Sequence, residues 1–305
     1  MLVPILKTLR PHQWVKNLFV ALPLVFAKRL LDPWSAWRAA AGFGLFCALS
    51  GAVYLLNDVA DIEKDRAHPK KRHRPIASGR LPTRVALALA AVLAAGALAA
   101  GATLDWRFAA VAAGYVVNNL LYSFALKHIA FVDVLSIAAG FFLRVLGGAF
   151  VIDVPPSYWL LAVTSLLAAF LGFGKRTHEL SAADREAAEA AGEPGGARPS
   201  RTRAVLEKYK LDQLRITLYV FGALTSAAYV AYTLSAHTQS FFHTRWMWLS
   251  APFCLLGIAR FVWLVGHAGR ADSPTDAMLR DWPFVLNLIL WAACITALIY
   301  QGSLR

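Results

Sequence analysis

Between Asn57 and Arg80 the sequence reads NDVADIEKDRAHPKKRHRPIASGR, in which the carboxylates Asp58, Asp61, Glu63 and Asp65 are followed at once by cations. Asn57, Asp61 and Asp65 fall four residues apart, and Asp58 lies three before Asp61. On a continuing helix these four side chains share one face. A row of hard oxygen donors suits Mg²⁺, which keeps several waters and shares its other positions with substrate phosphates. The cations behind it, Lys70, Lys71, Arg72, Arg74 and Arg80, suit phosphate oxygens that a metal leaves free. The spacing therefore predicts a metal–phosphate site with Asn57, Asp58, Asp61 and Asp65 as its candidate ligands. A solvated loop that merely fixes topology accounts for the cation run alone. It does not account for carboxylates held in register.

The elements that position these residues are read as membrane helices. Of 305 residues, 58% are hydrophobic and 16% charged, and the mean hydropathy is +0.51. Soluble domains are nearer about 45–50% apolar and about 25% charged. The net charge of +13 is explained by basic loops facing anionic lipid and phosphorylated substrates, with no call for nucleic acid. Cys47, Cys254 and Cys294 lie in apolar segments without pairing or metal spacing, so they read as small core residues. The start, MLVPILKTLRPHQWVKN, lacks the order of a cleavable signal. Its first 16 residues read as an interfacial amphipathic lead-in anchored by Trp14.

Nine apolar stretches are expected to span as helices, at about 17–31, 37–57, 85–104, 108–126, 130–152, 158–174, 214–235, 246–266 and 282–300. With the N-terminus inside, 23 of the 31 Lys/Arg fall on the inner side, 6 outside and 2 within spans. This bias predicts a multi-pass membrane protein with a cytosolic N-terminus. The chain is expected to be one all-α domain over 1–305, with cytosolic loops at 59–84 and 175–213 and a polar cavity facing the cytosol. The Ala-, Glu- and Gly-rich stretch at 182–203 reads as a solvated linker. The small residues of the third span suit helix packing, within one chain or between copies in a homo-oligomer.

Polar groups inside the spans add a second set of candidates. Asn118, Asn119, Tyr122, Ser123, Lys127, Asp133 and Arg144 follow one another along the fourth and fifth spans. An ionisable group at membrane depth costs at least ~2.5–3.5 kcal/mol, so it faces a cavity or a partner. Asp133 and Arg144 lie about three turns apart, too far to pair with each other. A substrate or another helix must therefore answer each of them. Lys175, Arg176, His178 and Glu179 are expected to close the sixth span in GKRTHEL, where cations at a helix end serve either anchoring or phosphate binding.

These pieces together resemble the UbiA-type intramembrane prenyltransferase superfamily, whose Asn-Asp-x-x-Asp-x-x-x-Asp motif is matched by Asn57, Asp58, Asp61 and Asp65. More narrowly the chain resembles the decaprenyl-phosphate phosphoribosyltransferase branch. The matching stretches are RPHQWVKN, the Asn57–Gly79 motif, YSFALKH, FFLRVLGG, GKRTHEL and TDAMLRDW, spread over nearly the whole chain. The resemblance implies a helical bundle in which Mg²⁺ holds the pyrophosphate of phosphoribosyl pyrophosphate while a polyprenyl phosphate attacks the ribose. It implies substrate binding by Lys16, Asn57, Lys70, Arg72, Arg74, Arg80, Tyr122, Lys127, Arg144, Lys175, Arg176 and Glu179, with membrane lipid around the isoprenoid tail. It further implies a bacterial envelope pathway that makes arabinose donors for cell-wall polymers such as arabinogalactan.

One departure from the wider superfamily decides between its branches. Aromatic prenyltransferases carry a second Asp-rich motif in the later cytosolic loop. Here that place holds Lys175, Arg176, His178 and Glu179, with only Asp184 beyond. A lone carboxylate between cations suits phosphate rather than a second metal. The alternatives are prenyl transfer from an allylic diphosphate to a small acceptor, and a lipid-phosphate transporter that needs basic pockets but no carboxylate face.

Overall fold

A computed structural model of the chain describes residues 1–69, 71–191, 204–267 and 274–301, and the described residues contain helices and turns but no strand. Seven helices are long and apolar enough to cross a membrane: Pro33–Ala60, Thr83–Leu104, Val132–Val151, Tyr158–Arg185, Leu211–Leu234, Trp246–His267 and Trp282–Tyr300. They correspond to seven of the nine expected stretches. Val92, Leu121, Ile216, Leu256 and Ile289 are exposed on helix surfaces, as lipid-facing positions require. The chain is a multi-pass membrane protein.

The two remaining stretches differ from a simple apolar span. The fourth is a helix, Trp106–Phe124, but Asn118 and Asn119 dilute its apolar character. The first is not one helix. It divides into a 3₁₀ segment, Pro11–Ala21, and a short helix, Leu22–Phe26. Pro11 and Pro23 withhold backbone donors, and Asn17 is fully buried, so this segment packs inward as a broken element. Trp14 is half-buried, and its indole N–H is buried without a partner among the described residues.

The chain folds as two compact units. The first comprises Met1–Phe124 and Gly140–Ser157. Its long helix opens on Asp32, whose carboxylate accepts from the Trp34 and Ser35 amides, with Pro33 at the first helical position. This helix packs along Thr83–Leu104, whose Ala-rich face is buried at Ala86, Ala90 and Ala97. The 3₁₀ segment lies against the residues after Gly140, where a side chain at Gly148 would meet the Val20 carbonyl oxygen at 2.1 Å. Only glycine permits that approach.

The expected loop at 59–84 is instead folded against this unit. Its polar sequence hides the apolar triplet Pro75-Ile76-Ala77, which is buried with Leu81 among Ala52, Leu55, Ala86 and Ala90. Arg66 Nε donates to the Ala77 carbonyl at 3.2 Å, and Arg80 donates to the His73 carbonyl. The cationic turn is thus built on an apolar floor.

The second unit comprises Ala125–Ala139 and Tyr158–Arg305. Its core gathers Phe170, Leu218, Phe261 and Val265. The helix Tyr158–Ala191 runs for 34 residues, so the expected loop beginning at 175 is helical through 191. Asp281 caps the last long helix by accepting from the Phe284 amide. Its carboxylate also takes both arms of Arg260, at 3.0 and 2.7 Å.

Candidate active site

The carboxylate motif straddles a helix break. The Pro33–Ala60 helix ends at Asp61, in a turn conformation, and a short helix, Ile62–Ala67, follows. The helical bonding nonetheless carries through, because the Asp61 amide donates to Asn57 and the Asp65 amide donates to Asp61. Asp58 and Asp65 are buried, at 3% and 2% exposure, while Asp61 is half-buried.

Two guanidinium groups answer the buried pair. Arg74 Nη1 lies 2.7 Å from Asp65 Oδ2 and 3.2 Å from Asp58 Oδ1, so one nitrogen bridges both carboxylates. Arg10 Nη2 reaches Asp58 Oδ1 at 2.5 Å and stacks on the Tyr54 ring at 5.0 Å. The four side chains are mutually neutral. Arg10 itself sits at a left-handed φ of 52° between the first helix and the 3₁₀ segment, which turns the chain back toward Asp58.

The donor chemistry fits a divalent cation. Asp58 and Asp65 already converge on one positive nitrogen, and hard carboxylate oxygens are what such an ion takes. Among the described residues, no three His, Cys, Asp or Glu side chains form a closed cage. A Mg²⁺-type site completes itself with water and substrate oxygens, so two or three protein carboxylates suffice. Asn57 Oδ1 is engaged otherwise, accepting from Ser123 Oγ at 2.5 Å. That bond ties the motif helix to Trp106–Phe124.

Deeper in the same unit lies a second polar cluster. Arg144, 7% exposed, donates to Asn17 Oδ1 at 2.8 Å, to the Gly140 carbonyl at 3.0 Å and to Tyr115 Oη at 2.9 Å. Its guanidinium also lies over the Tyr115 and Phe141 rings. Ser50 bonds to both Asn17 and Tyr115. No carboxylate pairs with Arg144 among the described residues, so neutral acceptors and aromatic faces hold this buried charge. Ser50, Tyr54 and Asp58 stand four residues apart on one helix. They form a single polar face from the Arg144 cluster to the carboxylates.

In the second unit Arg176 is held between two carboxylates. Its Nε lies 2.7 Å from Asp133 Oδ2 and its Nη1 lies 2.6 Å from Glu179 Oε2. Tyr209 Oη donates to Asp133 Oδ1 at 2.5 Å and accepts from the Phe131 amide at 2.6 Å. Phe131 adopts a left-handed φ of 67°, a strained conformation for an aromatic residue. Burial, and then the Asp133 carboxylate, push the Tyr209 hydroxyl above its ordinary range, so it stays protonated as a donor. Arg176, expected to bind phosphate at a helix end, lies inside a continuous helix and is paired with these two carboxylates.

The other expected residues divide by exposure. Lys16, Arg72 and Arg80 are exposed, whereas Tyr122, Lys127, Lys175 and Glu179 are half-buried. Lys70 lies outside the described residues. Sequence reasoning did not assign roles to Arg10, Asn17, Tyr54, Tyr115 or Tyr209. Arg10 and Asn17 carried a signal as the two ends of RPHQWVKN. Tyr209 carried none, because it lies beyond the Ala- and Glu-rich stretch.

Residues 17–279 match the profile of the UbiA prenyltransferase family. The decaprenyl-phosphate phosphoribosyltransferase of Mycolicibacterium smegmatis is 32% identical over 314 residues, covering 97% of this chain and 92% of that protein. The enzyme of the same name from Corynebacterium glutamicum is 31% identical, over 97% of this chain and 86% of its own. Among solved structures, a UbiA homologue from Archaeoglobus fulgidus bound to DMAPP and Mg²⁺ superposes with a TM-score of 0.69 at 18% identity. That match covers 97% of this chain and 98% of the other. At that identity the likeness is one of fold.

Proposed function

We propose that this chain, which belongs to the UbiA prenyltransferase family, transfers 5-phosphoribosyl from phosphoribosyl pyrophosphate to a polyprenyl phosphate of the decaprenyl type. The observation that carries this reading is the near-full-length likeness to enzymes named for that acceptor and that group. The buried carboxylate pair ringed by arginines supports it, as does the lack of a second Asp-rich motif near Lys175 and Arg176.

The chemistry is a displacement at ribose C1. The bond from C1 to pyrophosphate oxygen breaks, the electron pair leaves with pyrophosphate, and a lipid phosphate oxygen bonds to C1. The lipid phosphate is already an anion at neutral pH, so positioning and charge compensation matter more than a general base. Asp58, Asp61 and Asp65 would hold Mg²⁺, which when bound supplies Lewis-acid stabilisation of the departing pyrophosphate. Arg72, Arg74 and Arg80, on the packed turn, grip the donor's phosphates. Lys70 belongs to the same run. Lys127 and Lys175 would meet the lipid phosphate at the membrane face, and Lys16 would serve either substrate. The charge bias supports a cytosolic site, and the bacterial relatives support a bacterial inner membrane.

Membranes given labelled phosphoribosyl pyrophosphate with polyprenyl phosphate should move label into the lipid phase. Label moved only from an allylic diphosphate to a quinone precursor would establish prenyl transfer instead.

A further inference from the structure

Arg74 bridges the two buried carboxylates of the motif. Its Nη1 is within 3.2 Å of one oxygen on each buried carboxylate, and its side chain has no other partner among the described residues. Arg10, by contrast, is braced by the Tyr54 ring and touches Asp58 alone. The Arg74 side chain is 31% exposed on a turn whose backbone is pinned by Arg66, Arg80 and the buried Ile76. The frame is pinned by its own bonds, while the guanidinium is held by the two carboxylates alone.

Charge balance sets the order in which ligands can enter. The two buried carboxylates are already matched by two guanidinium groups, which leaves the half-buried Asp61 as the motif's remaining carboxylate. A divalent ion added beside the buried pair would therefore meet repulsion from Arg74 at contact distance. A diphosphate arriving at the same turn offers that guanidinium a stronger anionic partner. We propose that Arg74 is an internal counter-ion that keeps the Asp58–Asp65 pair closed to a divalent ion until a donor's diphosphate draws it away, so that ion and donor load together. The proposal rests on the proposed function only in requiring a diphosphate-bearing donor. It deepens that function by assigning an order of binding: free metal alone binds poorly, and metal with diphosphate binds cooperatively. By linkage, the donor's affinity rises with the ion by the same factor.

The test measures ion binding and not turnover. Full-length protein in lipid nanodiscs is titrated with Mn²⁺, read by electron paramagnetic resonance, with and without inorganic pyrophosphate. Values are corrected for ion bound to free pyrophosphate. In the wild-type protein, pyrophosphate should tighten Mn²⁺ binding at least tenfold. Equal affinity in both titrations overturns the proposal without any variant. Arg74→Gln should bind Mn²⁺ alone at least tenfold more tightly than wild type and show little further gain from pyrophosphate. Arg74→Lys, which keeps the charge, should stay close to wild type. Arg74→Gln binding Mn²⁺ no better than wild type defeats the proposal. Because inorganic pyrophosphate is common to both donor classes, the outcome is independent of whether ribosyl or prenyl groups are transferred.

Discussion

Arg176 Nε donates to Asp133 Oδ2 at 2.7 Å, and these two side chains are 3% and 0% exposed. Breaking a buried pair leaves an uncompensated charge, at about 3–5 kcal/mol. Arg176→Ala should therefore lower stability by that amount in nanodisc melts, with Asp133→Leu/Arg176→Leu recovering most of it. A single variant as stable as wild type would show that the pair carries no structural weight.

The cations of the two substrates should separate kinetically. Charge-assisted hydrogen bonds contribute about 1.5–3 kcal/mol each, so Arg74→Ala should raise KM for phosphoribosyl pyrophosphate roughly tenfold or more. Lys175→Ala should chiefly raise KM for polyprenyl phosphate. Varying each substrate in turn provides the check; equal effects on both, or the reverse pattern, would reject the division.

Asp61 is the half-buried member of the motif, more open than the buried Asp58 and Asp65 on either side of it. Asp61→Asn should cut kcat by about 10²–10³-fold, the scale of losing one electrostatic contact to a transition state, while the protein stays folded. Full activity in this variant, or wild-type turnover undiminished in excess chelator, contradicts a metal role.

Arg144 was expected to touch substrate, but its three nitrogens already serve Asn17, Gly140 and Tyr115. Arg144→Met strands those acceptors in the core, which costs about 1–3 kcal/mol for each buried group left unsatisfied. The expected result is a large fall in melting temperature with no selective change in either KM. A selective KM effect at unchanged stability would restore the substrate role.

Acid should weaken the Arg260–Asp281 clasp. The Arg260 bonds, followed by the Phe284 amide, hold the Asp281 carboxyl below its ordinary 3.8. A carboxylate depressed on folding contributes stability above about pH 4 and loses it as pH falls through the folded value. Wild-type melting temperatures should drop below that pH more steeply than those of Asp281→Asn. Parallel profiles would dismiss the clasp.

The spans were legible because apolar runs of that length have few other readings. What escaped was helix written in charged residues. SAADREAAEAA is mostly Ala with Glu and one Arg, all good helix formers, yet its polarity made it read as a linker. The opposite error occurred at 17–31, where hydropathy outvoted Pro23 and the buried Asn17. In the site, the Asp58–Asp65 pair followed from spacing, because it is local. Arg10 and Tyr209 reach their carboxylates across 48 and 76 residues, and no periodicity reports such contacts. For Arg176 and Arg144 the sequence shows the charge but not the partners that surround it.

The Tyr158–Ala191 helix has 34 residues, which at about 1.5 Å each gives roughly 51 Å against about 30 Å of hydrocarbon. Some 20 Å of it therefore stands outside the oily layer, like a mast stepped in a deck. Its tilt is set partly by how thick that layer is, and a change of about 10° swings a tip of this length by roughly 3–4 Å. The acyl-chain length of the host bilayer is thus a mechanical variable acting on the rod that carries Lys175 and Arg176.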